Sequence, residues 1–328
     1  MTKPLASLHT ESTQQSPRLV LGVDGGGTKT VAWLARFVPD GDPEMLGRGV
    51  AGSSNIRSAG WDDASSNLQA AIDAAWKDWG SRSCVVDSAV FALAGSGLPE
   101  VRDRFSAWAE ARSISKRLRI IHDAQAALIA GTPAECGVAL IAGTGSVAYG
   151  QDVEGANAVS GGWGYWFGDE GSAYWLGQQA LRAVAQASDS RGPDTKIVPK
   201  VLERLGIVDP REMISSLEKT GNTRLAIAEL ADVVTSVAQR QDQVACRIVD
   251  RAGQHLASMV DSVAQDLSLG NEFPLALAGG VLCKSHLVRE KLLECLSDNL
   301  IQPTDVQLVA EPVAGCLKMA NSELLLNR

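Results

Sequence analysis

The 328-residue chain is short of several things, and each shortage removes a class of function. None of its six cysteines, at positions 84, 136, 246, 283, 295 and 316, forms a CxxC pair or joins a Cys/His cluster. Neither zinc nor an iron–sulfur centre is therefore indicated. Thiols scattered in this way fit a reducing compartment, and a cytoplasmic location is expected. Basic charge is also scarce: 30 Lys and Arg stand against 38 Asp and Glu, a net −8. A general nucleic-acid binder needs a cationic face, so none is expected, although a local basic pocket for a nucleotide remains open. No apolar run reaches membrane-spanning length, so no membrane partner is expected. Met1–Pro17 lacks the apolar stretch of a signal peptide and reads as a flexible tail, residues 1–17. With 45% hydrophobic residues the chain can still bury a substantial core, in one large or two medium domains.

Glycine, by contrast, is placed with regularity. Leu19–Val23 is a short apolar strand that runs into Asp24, then Gly25, Gly26 and Gly27, then Thr28 and Lys29. The apolar pattern resumes at Val31–Leu34, so the glycines read as the turn of a hairpin. Bare N–H groups in such a turn can cradle a phosphate, and glycine permits both positive φ and close approach. The Lys-Ser/Thr spacing of a Walker loop is missing, and no helix follows as a dinucleotide fingerprint requires. An ordinary hairpin remains the competing reading for this turn taken alone. The unit recurs at Gly137–Ala142, which leads into Gly143, Thr144, Gly145 and Ser146 before Val147–Tyr149. A third apolar strand, Pro274–Ala278, ends at Gly279-Gly280 and opens a helix near Val281. Strands come first and then alternate with helices, which suggests two lobes, each a mixed sheet with helices packed on it. Helices are expected over Trp61–Trp79, Pro99–Arg112 and Ser172–Ala187. Positions 195–268 read as almost wholly helical, with breaks at Gly221-Asn222 and Gln241-Asp242.

Two carboxylate positions have the right setting for chemistry. Asp123 ends a strand, Leu118–Ile121 with His122, and precedes a helix. It can cap that helix, act as a general base, or do both with its two oxygens. Asp169-Glu170 sit in the glycine- and aromatic-rich loop Gly161–Gly171 just before a helix, where acids commonly complement the helix dipole. Trp163, Tyr165, Trp166 and Phe167 in that loop can be core or can flank a sugar face. Asn55 reads first as a turn residue. His122 reads as a packing residue, and Cys283 and Cys316 as buried apolar side chains.

Taken together these residues resemble the N-acetylglucosamine kinase group of the BadF/BadG/BcrA/BcrD ATPase family, within the sugar kinase/Hsp70/actin superfamily. The resemblance runs from about Leu19 to Ala320, and its most specific stretch is Gly161–Trp175, GGWGYWFGDEGSAYW. It implies an α/β fold of two actin-like (ribonuclease H-like) lobes, each with a mixed five-stranded sheet flanked by helices. ATP and sugar would lie in the cleft between the lobes. Residues 18–132 would form the first lobe, completed by the C-terminal helix 312–328. Residues 133–311 would form the second, with a helical insertion at 190–270.

The resemblance also assigns roles. Asp123 is the expected catalytic base and touches the sugar, together with Asn55, Ser146, Gly162, Trp163 and Asp169. Gly25, Gly26, Gly27, Thr28, Lys29, Gly143, Thr144, Gly145, Gly279, Gly280 and Ser285 are the expected ATP contacts. Asp24 is expected near Mg²⁺, through water. The implied reaction is ATP-dependent phosphorylation of an amino sugar at its 6-hydroxyl, with N-acetyl-D-glucosamine leading and glucosamine or N-acetylmuramic acid as alternatives. Val147 departs from the asparagine of the mammalian members and cannot donate that hydrogen bond. Two rivals share the fold: an activator ATPase for a dehydratase, disfavoured by the cysteine spacing, and a non-catalytic sugar sensor. A homodimer is expected by resemblance.

Overall fold

The computed structural model describes residues 18–37, 43–133 and 135–325; the expected tail, 1–17, lies outside them. The first sheet opens with β1 (Leu19–Gly25), paired antiparallel with β2 (Thr30–Arg36), which pairs antiparallel with β3 (Glu44–Ala51). Helix α1 (Ile56–Trp79) follows. It begins before the expected Trp61 because the Asn55 side chain caps it, and it bends at Gly60, whose φ is +78°. Strands β4 (Ser88–Leu93) and β5 (Leu118–His122) flank α2 (Pro99–Ala111) and continue the sheet in parallel, giving the order β3-β2-β1-β4-β5.

Helix α3 (Asp123–Gly131) leads to a second sheet with the same plan. Strands β6 (Gly137–Ala142), β7 (Ser146–Gln151) and β8 (Asn157–Gly161) pair antiparallel. After α4 (Ala173–Ser188), the segments α5 (Ile197–Leu205), α6 (Met213–Glu218), α7 (Thr223–Ala228) and α8 (Ala231–Ala238) precede the long α9 (Gln243–Asp266). Strand β9 (Pro274–Ala278) is followed by α10 (Gly280–Lys284), α11 (His286–Asp298) and β10 (Asp305–Val309). The order is β10-β9-β6-β7-β8, with β9 parallel to both β6 and β10. Both sheets thus run antiparallel, antiparallel, parallel, parallel, and the repeated strand–turn–strand unit is one part of a duplicated sheet. The fold is two mixed five-stranded sheets flanked by helices.

Three local readings change. β8 is not expected as a strand: none of its residues is fully buried, and it exists by pairing with β7 at the sheet edge. The single helix expected after β9 is two, because Ser285 takes an extended backbone and caps α11. The stretch 195–268 breaks at both expected places, and also at Gly206, which ends α5 in the left-handed region at φ +65°.

Each sheet buries both faces, which explains the near-continuous apolar runs of β1, β4 and β6. The outer face of the first sheet packs on α1 and α2 through Leu21, Leu34, Leu68, Phe91 and Phe105. The outer face of the second packs on α4, α8, α9 and α11 through Leu140, Leu176, Leu256, Leu277 and Leu292. The inner faces are covered by an exchange. Helix α3 leaves the first sheet but packs Ala124, Ala127 and Leu128 on Ala139, Tyr149, Ala276 and Val309 of the second. Helix α12 (Val313–Leu325) leaves the second sheet and packs Cys316, Leu317 and Ala320 on Val20, Val90 and Ala92 of the first.

Where α12 crosses α3, a Cβ on Gly315 would stand 2.1 Å from the Ala126 carbonyl oxygen. Gly315→Val should therefore force the helices apart and lower the unfolding free energy by about 2 kcal/mol or more. Urea denaturation checks this; an unchanged midpoint would show that the crossing has room to spare.

Candidate active site

The parallel strands of both sheets deliver their carboxyl ends to one place, the usual location of ligand sites in α/β sheets. Asp24 near the end of β1, Gly95 after β4, Asp123 after β5, Gly143 after β6, Gly279 after β9 and Ala310 after β10 all line a single cleft of about 1520 Å³. The aromatic loop and helices α7 and α8 form its remaining wall.

Every site residue expected from the sequence lines this cleft except Gly25. Gly25 lies beneath it, where a Cβ would fall 2.1 Å from Ser54 Oγ and 2.6 Å from a Leu93 methyl. None of Gly25, Gly26, Gly27, Gly143 and Gly145 has positive φ, and crowding requires glycine at Gly25 and Gly145 alone; a Cβ on Gly27 would meet nothing within 4 Å. A Cβ on Gly145 would meet Asp169 Oδ1 at 2.7 Å. Only the third turn uses the left-handed region, with Gly279 at φ +88°. There a side chain would strike Ala142 and Gly143 of the second turn. The first turn closes with Gly26 N–H donating to the Lys29 carbonyl (2.9 Å), and Ser53 Oγ donates to the Gly26 carbonyl (3.0 Å). Across the cleft the first two turns touch: the hydroxyls of Thr28 and Thr144 share a 2.7 Å hydrogen bond.

Asp123 is the first residue of α3, and its Oδ1 accepts the Ala124 N–H at 3.0 Å. His122 Nδ1 lies 2.9 Å from the same oxygen. It also lies 3.2 Å from the Ala124 nitrogen, but Nδ1 cannot accept there while donating to the carboxylate. The Nδ1–H form donates to the carboxylate, and the Ala124 N–H at the helix start is then taken by Asp123 Oδ1. His122 is thus not a packing residue as expected: β5 ends on it, and its ring turns toward Asp123 while stacking on Tyr149 with centroids 6.1 Å apart. Burial raises the Asp123 pKa, but the His122 hydrogen bond and charge, with the Ala124 N–H, outweigh it and hold the group below the ordinary carboxylate value. Burial depresses His122, yet its bond to Asp123 prevails and raises it.

Asp24 has the opposite balance. Burial first, then the Asp123 charge, push its pKa up to about 7, with Lys29 opposing and Glu311 adding to the rise. Among the described residues no three His, Cys, Asp or Glu side chains converge as a metal cage. That donor set fits Mg²⁺ carried by phosphate and water beside one carboxylate, the usual arrangement for this hard ion.

On the opposite side Asn55 caps α1, its Oδ1 accepting the Arg57 N–H at 2.9 Å, while its amide nitrogen has no hydrogen bond among the described residues. Asp169 is buried and holds a left-handed backbone at φ +63°. Its Oδ1 accepts the Ser146 N–H (3.2 Å) and its Oδ2 accepts from Arg224 Nη2 (3.2 Å). Ser146 Oγ donates to the Glu170 carbonyl at 2.7 Å. Gly162, at φ +72°, packs over Val147. The aromatics of the loop are not core: Trp163, Trp166 and Phe167 are 74, 77 and 84% exposed. Ser285 lines the cleft, but its hydroxyl accepts the Val288 N–H as a helix cap (3.4 Å). Cys316 is buried as expected, whereas Cys283, on the first turn of α10, is partly open to the cleft. His122, Arg57 and Arg224 are cleft residues that no motif revealed.

Residues 21–316 match the BadF/BadG/BcrA/BcrD ATPase family. The chain belongs to that family. An N-acetylmuramic acid/N-acetylglucosamine kinase of Clostridium acetobutylicum is 29% identical over 307 residues, spanning 93% of this chain and 99% of the relative. An N-acetyl-D-glucosamine kinase of Dictyostelium discoideum is 29% identical over 319 residues, spanning 93% and 98%. Among solved structures, a provisionally assigned N-acetylglucosamine kinase of Chromobacterium violaceum superposes with a TM-score of 0.71 at 24% identity, covering 93% of this chain and 99% of that one. A hexokinase of the ROK group from Thermus thermophilus shares the fold at a TM-score of 0.55 and 19% identity, covering 94% and 100%.

The Asp24 carboxyl makes a stability signature. Its ordinary pKa of 3.8 applies to the unfolded chain, and about 7 applies to the fold. The folded state binds the proton more tightly, so stability falls as pH rises between these values and the loss is complete above them. Without nucleotide or metal, Asp24→Asn should exceed the parent by up to about 4 kcal/mol at pH 8 and by little at pH 4. Denaturant titrations at the two pH values check it; an equal gain at both would refute the buried charge.

Proposed function

We propose that this chain is an ATP-dependent kinase that phosphorylates the 6-hydroxyl of an amino sugar, N-acetyl-D-glucosamine first. The observation that carries the reading is Asp123, set in one cleft with the two glycine turns and the aromatic loop, its Oδ1 fixed by Ala124 and His122. A carboxylate held ionised and oriented suits a base that takes a hydroxyl proton as the oxygen attacks phosphorus. The turns of Gly26–Lys29 and Gly143–Gly145 would receive the phosphates, with Thr28 and Thr144 exchanging their mutual hydrogen bond for phosphate oxygens. Gly279, Gly280 and Ser285 would border the adenosine. Asn55, Ser146, Gly162, Trp163 and Asp169 would hold the sugar on the other side. Asp24 would hold Mg²⁺ through water, and the ion would offset phosphate charge when bound. Closure of the lobes about α3 and α12 would exclude water and spare ATP from hydrolysis. A cytoplasmic homodimer completes the reading.

N-acetylmuramic acid is the second reading. It is the same sugar with a carboxylate-bearing ether at O3, and Arg57 lines the cleft with no ion-pair partner among the described residues. The Clostridium relative supports it by name. A panel of N-acetylglucosamine, glucosamine and N-acetylmuramic acid in a coupled ADP-release assay tests both; release independent of any sugar would refute the kinase.

Asp123→Ala should lower kcat about 1000-fold with sugar affinity changed by only a few fold; steady-state kinetics with calorimetry checks this, and an unchanged kcat would remove the base. His122→Phe takes away the hydrogen bond and charge that lower the Asp123 pKa. The acid limb of its kcat/KM profile should therefore move to higher pH, and a limb that stays in place would show that His122 does not tune the base.

A further inference from the structure

The helical stretch 190–270 brings three charged residues to the cleft, Arg224, Glu229 and Asp232, and Arg224, the second residue of α7, pairs with Asp169 of the aromatic loop. Its Nη2 donates to Asp169 Oδ2 at 3.2 Å, with only 22% of the Arg224 side chain and 4% of the Asp169 side chain exposed. The guanidinium carbon lies 5.0 Å from the ring centroid of Tyr165 in the aromatic loop. Its Nε is buried and has no hydrogen-bond partner. Asp169 needs such support. Its backbone is in the left-handed region and Ser146 N–H takes Oδ1. Without Arg224, Oδ2 would be a buried carboxylate oxygen facing Glu170 on its own loop and Tyr174 on α4.

We propose that Arg224 is a positioning residue for the acceptor sugar: it fixes the Asp169 carboxylate, in charge and direction, and clamps the aromatic loop through Tyr165. The inference rests on the kinase reading of the cleft. Arg224 touches no reacting atom; it makes the sugar contact of Asp169 dependent on α7. The helical insertion thereby becomes part of sugar selection, although its fold places it outside both sheets. A lysine would keep the charge but not the planar fork that holds a carboxylate edge and lies on a ring.

The test compares Arg224→Gln, Arg224→Lys, Asp169→Asn and the double variant Asp169→Asn/Arg224→Gln with the parent enzyme, measuring KM for N-acetylglucosamine, KM for MgATP, kcat and Tm. Arg224→Gln should raise the sugar KM about 30-fold or more while the MgATP KM stays within about twofold, and Arg224→Lys should recover part of the loss. In the Asp169→Asn background, Arg224→Gln should add almost nothing, because the two act as one unit. The pH dependence adds a second readout. Burial holds Asp169 above the ordinary carboxylate range while Arg224 and the Ser146 N–H oppose it. Arg224→Gln should therefore push the acid limb of kcat/KM for the sugar to higher pH. Equal rises in both KM values, an unchanged sugar KM, or full additivity with Asp169→Asn would overturn the proposal. If the parent phosphorylates no amino sugar, the kinase reading fails instead. Arg224→Gln must then still weaken N-acetylglucosamine binding by calorimetry, through Asp169, for the positioning role to stand.

Discussion

The meeting of α3 with α12 is the constraint on which the rest of the molecule depends. Each helix leaves one sheet and covers the inner face of the other, so neither lobe completes its core without chain from its neighbour. Minimal side chains make this possible: at the crossing Gly315 lies against the Ala126 carbonyl, and where the helices meet the sheets Gly131 lies against Ala276 and Val309, and Gly22 against Cys316. Close backbone contact at the small-residue crossing joins the lobes, and among the described residues the Thr28–Thr144 hydroxyl pair and the His122–Tyr149 stack also link them. That distribution of contacts favours rotation of the lobes about the crossing over sliding between them.

The same crossing sets the electrostatics. Because α3 starts where β5 ends, Asp123 arrives beside Asp24, and two recessed carboxylates share one space. The chain treats them differently. Asp123 receives an imidazole and a backbone N–H and stays ionised; Asp24 receives neither and is pushed toward neutrality. Environments that drive two like groups apart in this way are how acid–base roles become separated within one cleft. A cation beside Asp24 would relieve the mismatch, so an ionised Asp24 and a bound cation would favour one another.

Much of the frame was legible in the letters. Apolar strands ending in glycine turns marked β1, β6 and β9, and the recurrence of the unit pointed to two related lobes. The Asp123 position could be read because a strand ending in an acid before a helix is a local pattern. What escaped has one cause: partnership across distance. Arg224 finds Asp169 from 55 residues away, with no spacing to announce it. His122 differs from a packing histidine only because β5 stops there. β8 is a strand through its neighbour and not through its own residues. Gly25 and Gly145 owe their smallness to Ser54, Leu93 and Asp169, none of them next to these glycines in sequence.

The loop that carries Asp169 leaves Trp163 and Trp166 open to water at the mouth of the cleft. Indoles so placed emit as solvated chromophores, and whatever covers them changes their surroundings. The molecule therefore carries an intrinsic optical reporter of whatever covers the mouth of the cleft.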